Sequence, residues 1–373
     1  MIERIYKIEK IIKQNKVLVI YGPRRVGKTT LLKAFLNKTK LKYKFDIGDN
    51  IEIADILSSR NFKRILEYTA DFELIAIDEA QSIPTVGMGL KIIVDNLSKI
   101  FVIATGSSSF DLSQQIGEPL TGRKNTIILY PISQKELRLK FNNYELKKKL
   151  EDLLIFGAYP EIITASFKNE KIKILEEIVN SYLLKDILAL EKIKSPKILM
   201  DLLKLLAFQV GNLVSLNELA AQLAIDVKTV ARYLDLLEKS FIIKAHWGFS
   251  RNLRKEIAKK GKYYFIDNGI RNAVISQFND LENRNDVGGL FENFIFAERL
   301  KKLAYDDIYG SLYFWRTYDG QEIDIIEERD GKLEGYEIKW KKDKIKPPKD
   351  WLATYKNAEY KIINQDNYLE YIL

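Results

Sequence analysis

The stretch Gly22-Pro23-Arg24-Arg25-Val26-Gly27-Lys28-Thr29 sets two glycines four residues apart and follows them at once with a lysine and a threonine. That spacing suits phosphate. Glycine admits backbone angles that a Cβ forbids, so successive N–H groups can turn inward at a helix N-terminus, where the helix dipole also favours negative charge. Lys28 would add a point charge for the β and γ phosphates at a solvated site, Thr29 would offer its hydroxyl to Mg2+, and Thr30 lies at the start of the helix that follows. The motif predicts a nucleotide cradle running from Gly22 to Thr30.

Further along, residues 73–79 form an apolar run that ends in Asp78 and Glu79. Asp78 is expected to hold Mg2+ through water and Glu79 to act as general base on the attacking water; the plain alternative is two acids that merely mark a strand end. Thr105 or Ser107, past another apolar run, can contact the γ-phosphate or the water, or simply cap a turn. Arg123 can neutralise transition-state charge, in cis or across a subunit boundary, and Arg24 and Arg25 compete for that role. No Asn-Lys-x-Asp guanine signature stands at a suitable place, since Asn37-Lys38-Thr39-Lys40 lacks the acid. The expected cofactors are therefore ATP and Mg2+.

A third set lies near the C-terminus. Asp324 sits on one strand-like run, Glu337-Ile338-Lys339 on the next, and Glu292 on the preceding helical segment. An Asp followed by Glu-x-Lys on a neighbouring strand suits a metal-dependent nuclease: Asp324 and Glu337 as ligands, Lys339 orienting water, Glu292 adding a ligand from the helix. The same residues also fit alternating charge on an exposed strand.

The elements that must position these groups change character along the chain. Apolar runs at residues 16–21, 41–47, 73–79, 100–104 and 126–130 alternate with helical patterns, which predicts an α/β core with a parallel sheet covered on both faces, over residues 1–132. A lead-in helix is expected at 2–14 and helical material at 51–68. Helical periodicity then dominates residues 133–205, a lid or linker. Residues 206–280 read as a winged helix: Ser215 and Glu218 open a short helix, Ile225-Asp226-Val227 turns, and residues 228–239 form a second helix with Lys228, Thr229 and Arg232 outward. Strand-like runs at 241–245 and 262–266 flank a basic wing of Arg251, Arg254, Lys255, Lys259, Lys260 and Lys262. Such a module binds DNA or serves as a protein-interaction domain. Residues 281–373 form a second α/β domain, with a further basic segment at Lys341, Lys342, Lys344, Lys346 and Lys349.

Composition sets the outer limits. At 373 residues, 46% hydrophobic and 30% charged, the chain is a folded protein of several domains. It has no Cys and one His, His246, which excludes thiolate zinc sites, disulfides and Cys nucleophiles, and leaves oxygen ligands for any metal. His246 lies in an apolar stretch and reads as structural. The net charge of +9 fits a polyanionic partner. No run of about 18 apolar residues occurs and the first residues carry charges, so a cytoplasmic protein without a membrane partner is expected.

The order of pieces resembles the bacterial and archaeal AAA-type ATPases that carry a C-terminal domain of unknown function related to restriction-endonuclease cores. The resemblance rests on Gly22 to Thr29, Ala76-Ile77-Asp78-Glu79-Ala80-Gln81, Thr105-Gly106-Ser107-Ser108-Ser109, Leu120-Thr121-Gly122-Arg123, Gly157-Ala158-Tyr159-Pro160-Glu161, Tyr264-Phe265-Ile266-Asp267-Asn268-Gly269 and Glu337-Ile338-Lys339. It implies an ATPase core, a winged helix and a nuclease-like fold. No clear second arginine sensor is found, which leaves assembly into an oligomer open. Three functions fit: an ATPase coupling nucleotide state to a DNA or protein partner, a STAND-like regulatory switch with little turnover, or an ATP-gated metal-dependent nuclease.

Overall fold

The computed structural model describes residues 2–107, 119–183, 195–251, 260–341, 346–355 and 357–373. Its contacts group into two units: Arg4–Tyr130 with Lys239–Phe241, and Pro131–Glu238 with Ile242–Leu373.

The first unit is built on five parallel strands, β1 (Val17–Tyr21), β2 (Tyr43–Ile47), β3 (Leu74–Asp78), β4 (Phe101–Gly106) and β5 (Lys124–Ile128), in the order β2-β3-β4-β1-β5. β1 and β3 are buried along their whole length, which is what unbroken apolar runs require when helices cover both faces of a sheet. Val17, Val19, Ile75, Ile77, Val102 and Leu90 form the centre of one core. The α/β parallel sheet expected from the alternation is present. The lead-in helix is short, Ile8–Ile11, and the helical stretch expected over 51–68 is two helices, Ile51–Ser58 and Phe62–Thr69, capped by the side chains of Asn50 and Asn61.

The second unit opens with helices, among them Leu150–Phe156 and Pro196–Phe208, followed by the pair Leu216–Leu223 and Val227–Lys239. Ser215 Oγ accepts from Glu218 N, as the capping pattern predicts. Thr229 does not point freely outward: its N–H and hydroxyl both donate to the Asp226 carboxylate. The remaining strands are β6 (Ile243–Gly248), β7 (Gly261–Phe265), β8 (Leu312–Arg316), β9 (Glu322–Arg329), β10 (Lys332–Ile338) and β11 (Ala358–Ile363), with the helix Val287–Tyr305 between β7 and β8.

These six strands form one sheet, ordered β11-β10-β9-β8-β6-β7. β6 and β7 pair antiparallel, as a wing hairpin would, but β6 also pairs parallel to β8 through Trp247 and Gly248. Strands from both sides of the boundary expected between 280 and 281 therefore share one sheet, and the hairpin is not a free wing. β7 is buried throughout, so it needs cover on both faces that a solvent-facing wing would not have. Within the expected basic wing, residues 252–259, including Arg254, Lys255 and Lys259, lie outside the described residues, as do 342–345 of the second basic segment. Lys262 belongs to β7 and is 1% exposed, so it is not part of a basic surface.

Two of the motifs that carry the family resemblance meet here. Gly157 ends the helix Leu150–Phe156 at φ +73°, and the next N–H, that of Ala158, donates to Asp267 Oδ2 at 2.7 Å. Asp267 also caps the helix Asn268–Val274. A Cβ on Gly157 would lie 2.0 Å from Asp267 Oδ1, and one on Gly269 would lie 2.1 Å from the Phe156 carbonyl oxygen. These glycines permit close approach of backbone and carboxylate. Gly157→Ala should cost about 3 kcal/mol, combining left-handed strain with displacement of a buried carboxylate. Gly331→Ala, at φ +74° with nothing within 4 Å, should cost only about 1 kcal/mol. Urea unfolding midpoints of the two variants compare the costs directly.

Candidate functional site

Parallel pairing brings the carboxyl ends of β1, β3 and β4 to one edge of the first sheet. The Gly22–Thr29 loop leaves β1 there. Gly22 has φ +149°, and a Cβ on it would lie 2.1 Å from the Leu129 carbonyl oxygen, so the loop can pass β5 only as glycine. Arg25 at φ 63° and Gly27 at φ +94° are both left-handed, which turns consecutive N–H groups toward one side ahead of the helix Lys28–Leu36. Thr29 and Thr30 supply the next amides at that helix start. Pro23 and Val26 are buried, and Arg24 and Arg25 are half-buried. Arg4, which no motif singles out, pins the loop: its guanidinium donates to Val26 O at 3.0 Å and Tyr130 O at 2.6 Å. Lys28 is 4% exposed rather than solvated, with Nζ donating to Gly22 O and Pro23 O at 2.9 Å each.

Asp78, at the end of β3, is 4% exposed. Thr29 Oγ1 donates to its Oδ2 at 2.7 Å, and Thr105 Oγ1 donates to its Oδ1. These are hard oxygen donors of the kind Mg2+ takes, next to a cradle of amides shaped for phosphate, so the residues fit MgATP. Thr105 also accepts from Glu79 N at 3.1 Å. Its hydroxyl thus ties the acidic turn to the end of β4. Glu79 itself is left-handed at φ 51°, and its carboxylate accepts the amide of Gln81, which also reaches Ser107 Oγ at 3.3 Å. Gln81 lies in a quoted motif, yet only the fold shows that it holds Glu79. Ser108 and Ser109 lie outside the described residues.

Arg123 does not reach this edge. Lys124 is paired with Val17, and Val17 N donates to Arg123 O at 2.8 Å, so Arg123 stands at the amino end of the sheet. Four residues of strand at about 3.3 Å each separate that end from the loop, roughly 13 Å. Its guanidinium pairs with Asp95. A charge-neutralising role in cis is therefore corrected by strand register.

The C-terminal set does converge. Asp324 is 7% and Glu337 9% exposed, which removes the reading of alternating charge on an exposed strand. Lys339 Nζ lies 2.7 Å from Glu337 Oε1. Between Glu292 and Asp324, however, sits Lys262, at 3.2 Å from Glu292 Oε1, 2.5 Å from Glu322 Oε1 and 3.7 Å from Asp324 Oδ1. Among the described residues no three His, Asp or Glu side chains are grouped so as to hold a metal ion. The expected Mg2+ site at Glu292, Asp324 and Glu337 does not fit a centre that already contains an ammonium. His246 packs beside the cluster as a structural residue, buried among Tyr264, Phe296 and Phe314, with Nε2 3.0 Å from the Asp324 carbonyl oxygen. Burial above all holds its pKa down at about 3.

Burial and the Asp324 carboxylate push Glu337 up to about 7, against the opposing pull of Lys339. A carboxyl raised on folding contributes stability that is full below its unfolded value of 4.5 and is lost as pH rises through about 7. Glu337→Gln removes that loss. The variant should gain on the wild type between about pH 5 and pH 8, by up to about 2 kcal/mol, and urea midpoints at the two pH values check it.

Residues 14–138 match the family model described as an AAA domain, while residues 147–281 and 287–367 match two domains of unknown function, DUF8612 and DUF4143. An uncharacterized protein of Mycobacterium tuberculosis is 26% identical over 338 residues, covering 89% of this chain and 72% of the relative. One of Haemophilus influenzae is 28% identical over 337 residues, covering 83% and 79%. Domain III of the Thermotoga maritima replication initiation protein DnaA aligns with 44% of this chain and 85% of that one at 16% identity and a TM-score of 0.28, too slight a likeness to bear on function. The AAA-domain match falls on the unit that holds the phosphate cradle and supports nucleotide binding there.

Proposed function

We propose that the protein hydrolyses ATP and that the nucleotide state is read out by a DNA or protein partner. The observation that carries this reading is the Asp78 carboxylate, shared between the hydroxyl of the phosphate-loop helix and that of β4. ATP with Mg2+ would supply the phosphoryl group and its counter-charge; Thr29 and Asp78 would hold the cation, and Lys28 with the loop amides would hold the phosphates. Glu79 is the base, and Gln81 and Thr105 fix the turn that carries it. Lys228 and Arg232 on the helix Val227–Lys239, with Lys341, Lys346 and Lys349, are exposed cations that suit a polyanion.

Gln81 on the Glu79 carboxylate also favours a second reading, a switch with slow turnover, because a base engaged by its own chain must be released before it can act. Phosphate release with and without duplex DNA separates the two. The ATPase reading expects turnover stimulated by DNA or another partner. The switch reading expects tightly held ADP and little release.

Glu79→Gln should bind nucleotide as the wild type does and lose about 100-fold or more in turnover; normal hydrolysis by this variant would remove Glu79 from the base role. Arg123→Ala should change turnover by less than about twofold, because an exposed pair with Asp95 contributes little. A loss of tenfold or more that grows with protein concentration would instead assign Arg123 to a neighbouring subunit's site.

A further inference from the structure

The acid cluster of the second unit has most of its charge offset by the chain's own cations. Lys262 Nζ touches Glu292, Glu322 and Asp324. Arg316 Nη1 lies 2.6 Å from the other oxygen of Glu322, and Lys339 Nζ 2.7 Å from Glu337 Oε1. The Tyr264 hydroxyl donates to Glu292 Oε1, and Asp324 Oδ2 accepts from Ile338 N at 2.8 Å. Four carboxylates thus face three fixed cations, and one buried oxygen of the set, Glu337 Oε2, has no hydrogen-bond partner among the described residues.

Mg2+ and Mn2+ need several oxygen ligands in near-octahedral array, with a net negative cage to offset dehydration. An ammonium at the centre of the acids supplies the positive charge in their place and repels a second one. The fold puts it there: β7 joins the sheet through β6, which carries Lys262 to within reach of β9 and of the helix Val287–Tyr305. We infer that Lys262 is a permanent stand-in for the divalent cation, so that Glu292, Glu322, Asp324 and Glu337 form a metal-free charge node and the nuclease-like unit is not a metal-dependent nuclease.

Mn2+ uptake by the full chain, without nucleotide, followed by electron paramagnetic resonance, tests this. Wild type, Asp324→Asn and Glu337→Gln should take up the same amount, since none of them has a site here. Lys262→Met should gain about one equivalent of Mn2+, lost again when Asp324→Asn is added, because removing the ammonium opens the acid cage. Uptake by the wild type that either carboxamide variant loses would overturn the inference, and so would a folded Lys262→Met that gains nothing. If Lys262→Met does not fold, the comparison of wild type with the two carboxamide variants decides alone.

Discussion

Everything at the phosphate-binding edge depends on the two hydroxyls that share Asp78. A carboxylate this deeply buried is costly unless donors satisfy it. Thr29 and Thr105 do so on separate oxygens, one from the helix after β1 and one from the end of β4, the strand lying between β1 and β3. The requirement to satisfy one acid therefore fixes three strand ends relative to one another. It also holds the next residue: Thr105 accepts Glu79 N, which keeps Glu79 in a left-handed conformation that costs a non-glycine residue about 1 kcal/mol. Strain of this kind persists where surrounding bonds over-determine it, and here those bonds fix the direction of the Glu79 side chain.

In the second unit the same physics serves architecture. Asp267 accepts from Ala158 N and Ile270 N, while Asn268, Asn272 and Asn293 bond backbone carbonyls of neighbouring elements. Arg299 pairs with Glu327 through two hydrogen bonds, and the Tyr371 hydroxyl joins them. Buried polar groups with full sets of partners specify one packing of helices on sheet, and few substitutions would leave them satisfied. Lys262 belongs to the same class: burial pulls its pKa down, but Glu292, Asp324 and Glu322 outweigh that and raise it, so the charge stays on.

The nucleotide cradle was legible because phosphate chemistry there requires contiguous residues; Gly22 to Thr29 can be read without knowing any partner. The parallel sheet was legible for a related reason, since strands buried on both faces must be apolar without a break. What failed to show was everything set by register or by pairs far apart in the chain. Arg123 looks catalytic on a polar loop until the pairing of its neighbour Lys124 with Val17 puts it at the amino end of the sheet. Lys262 reads as one cation in a basic run, because the carboxylates that bury it lie on the helix Val287–Tyr305 and on β9. Gly157 and Asp267 stood out as motifs, but only their contact shows that they are structural. The split of 206–280 from 281–373 followed a change in local pattern, and local pattern carries no sign of the β6 to β8 pairing.

That pairing has a consequence for how the chain can be divided. A fragment ending near residue 280 would keep the hairpin of β6 and β7 but strip β8 from it, leaving a two-stranded ribbon with an open apolar edge, a template for self-association. It would also leave Lys262 without Glu292, Glu322 and Asp324, an ammonium whose surroundings were made for counter-charges no longer present. The helix pair and the sheet after it are thus best expressed together, although separate family models cover residues 147–281 and 287–367.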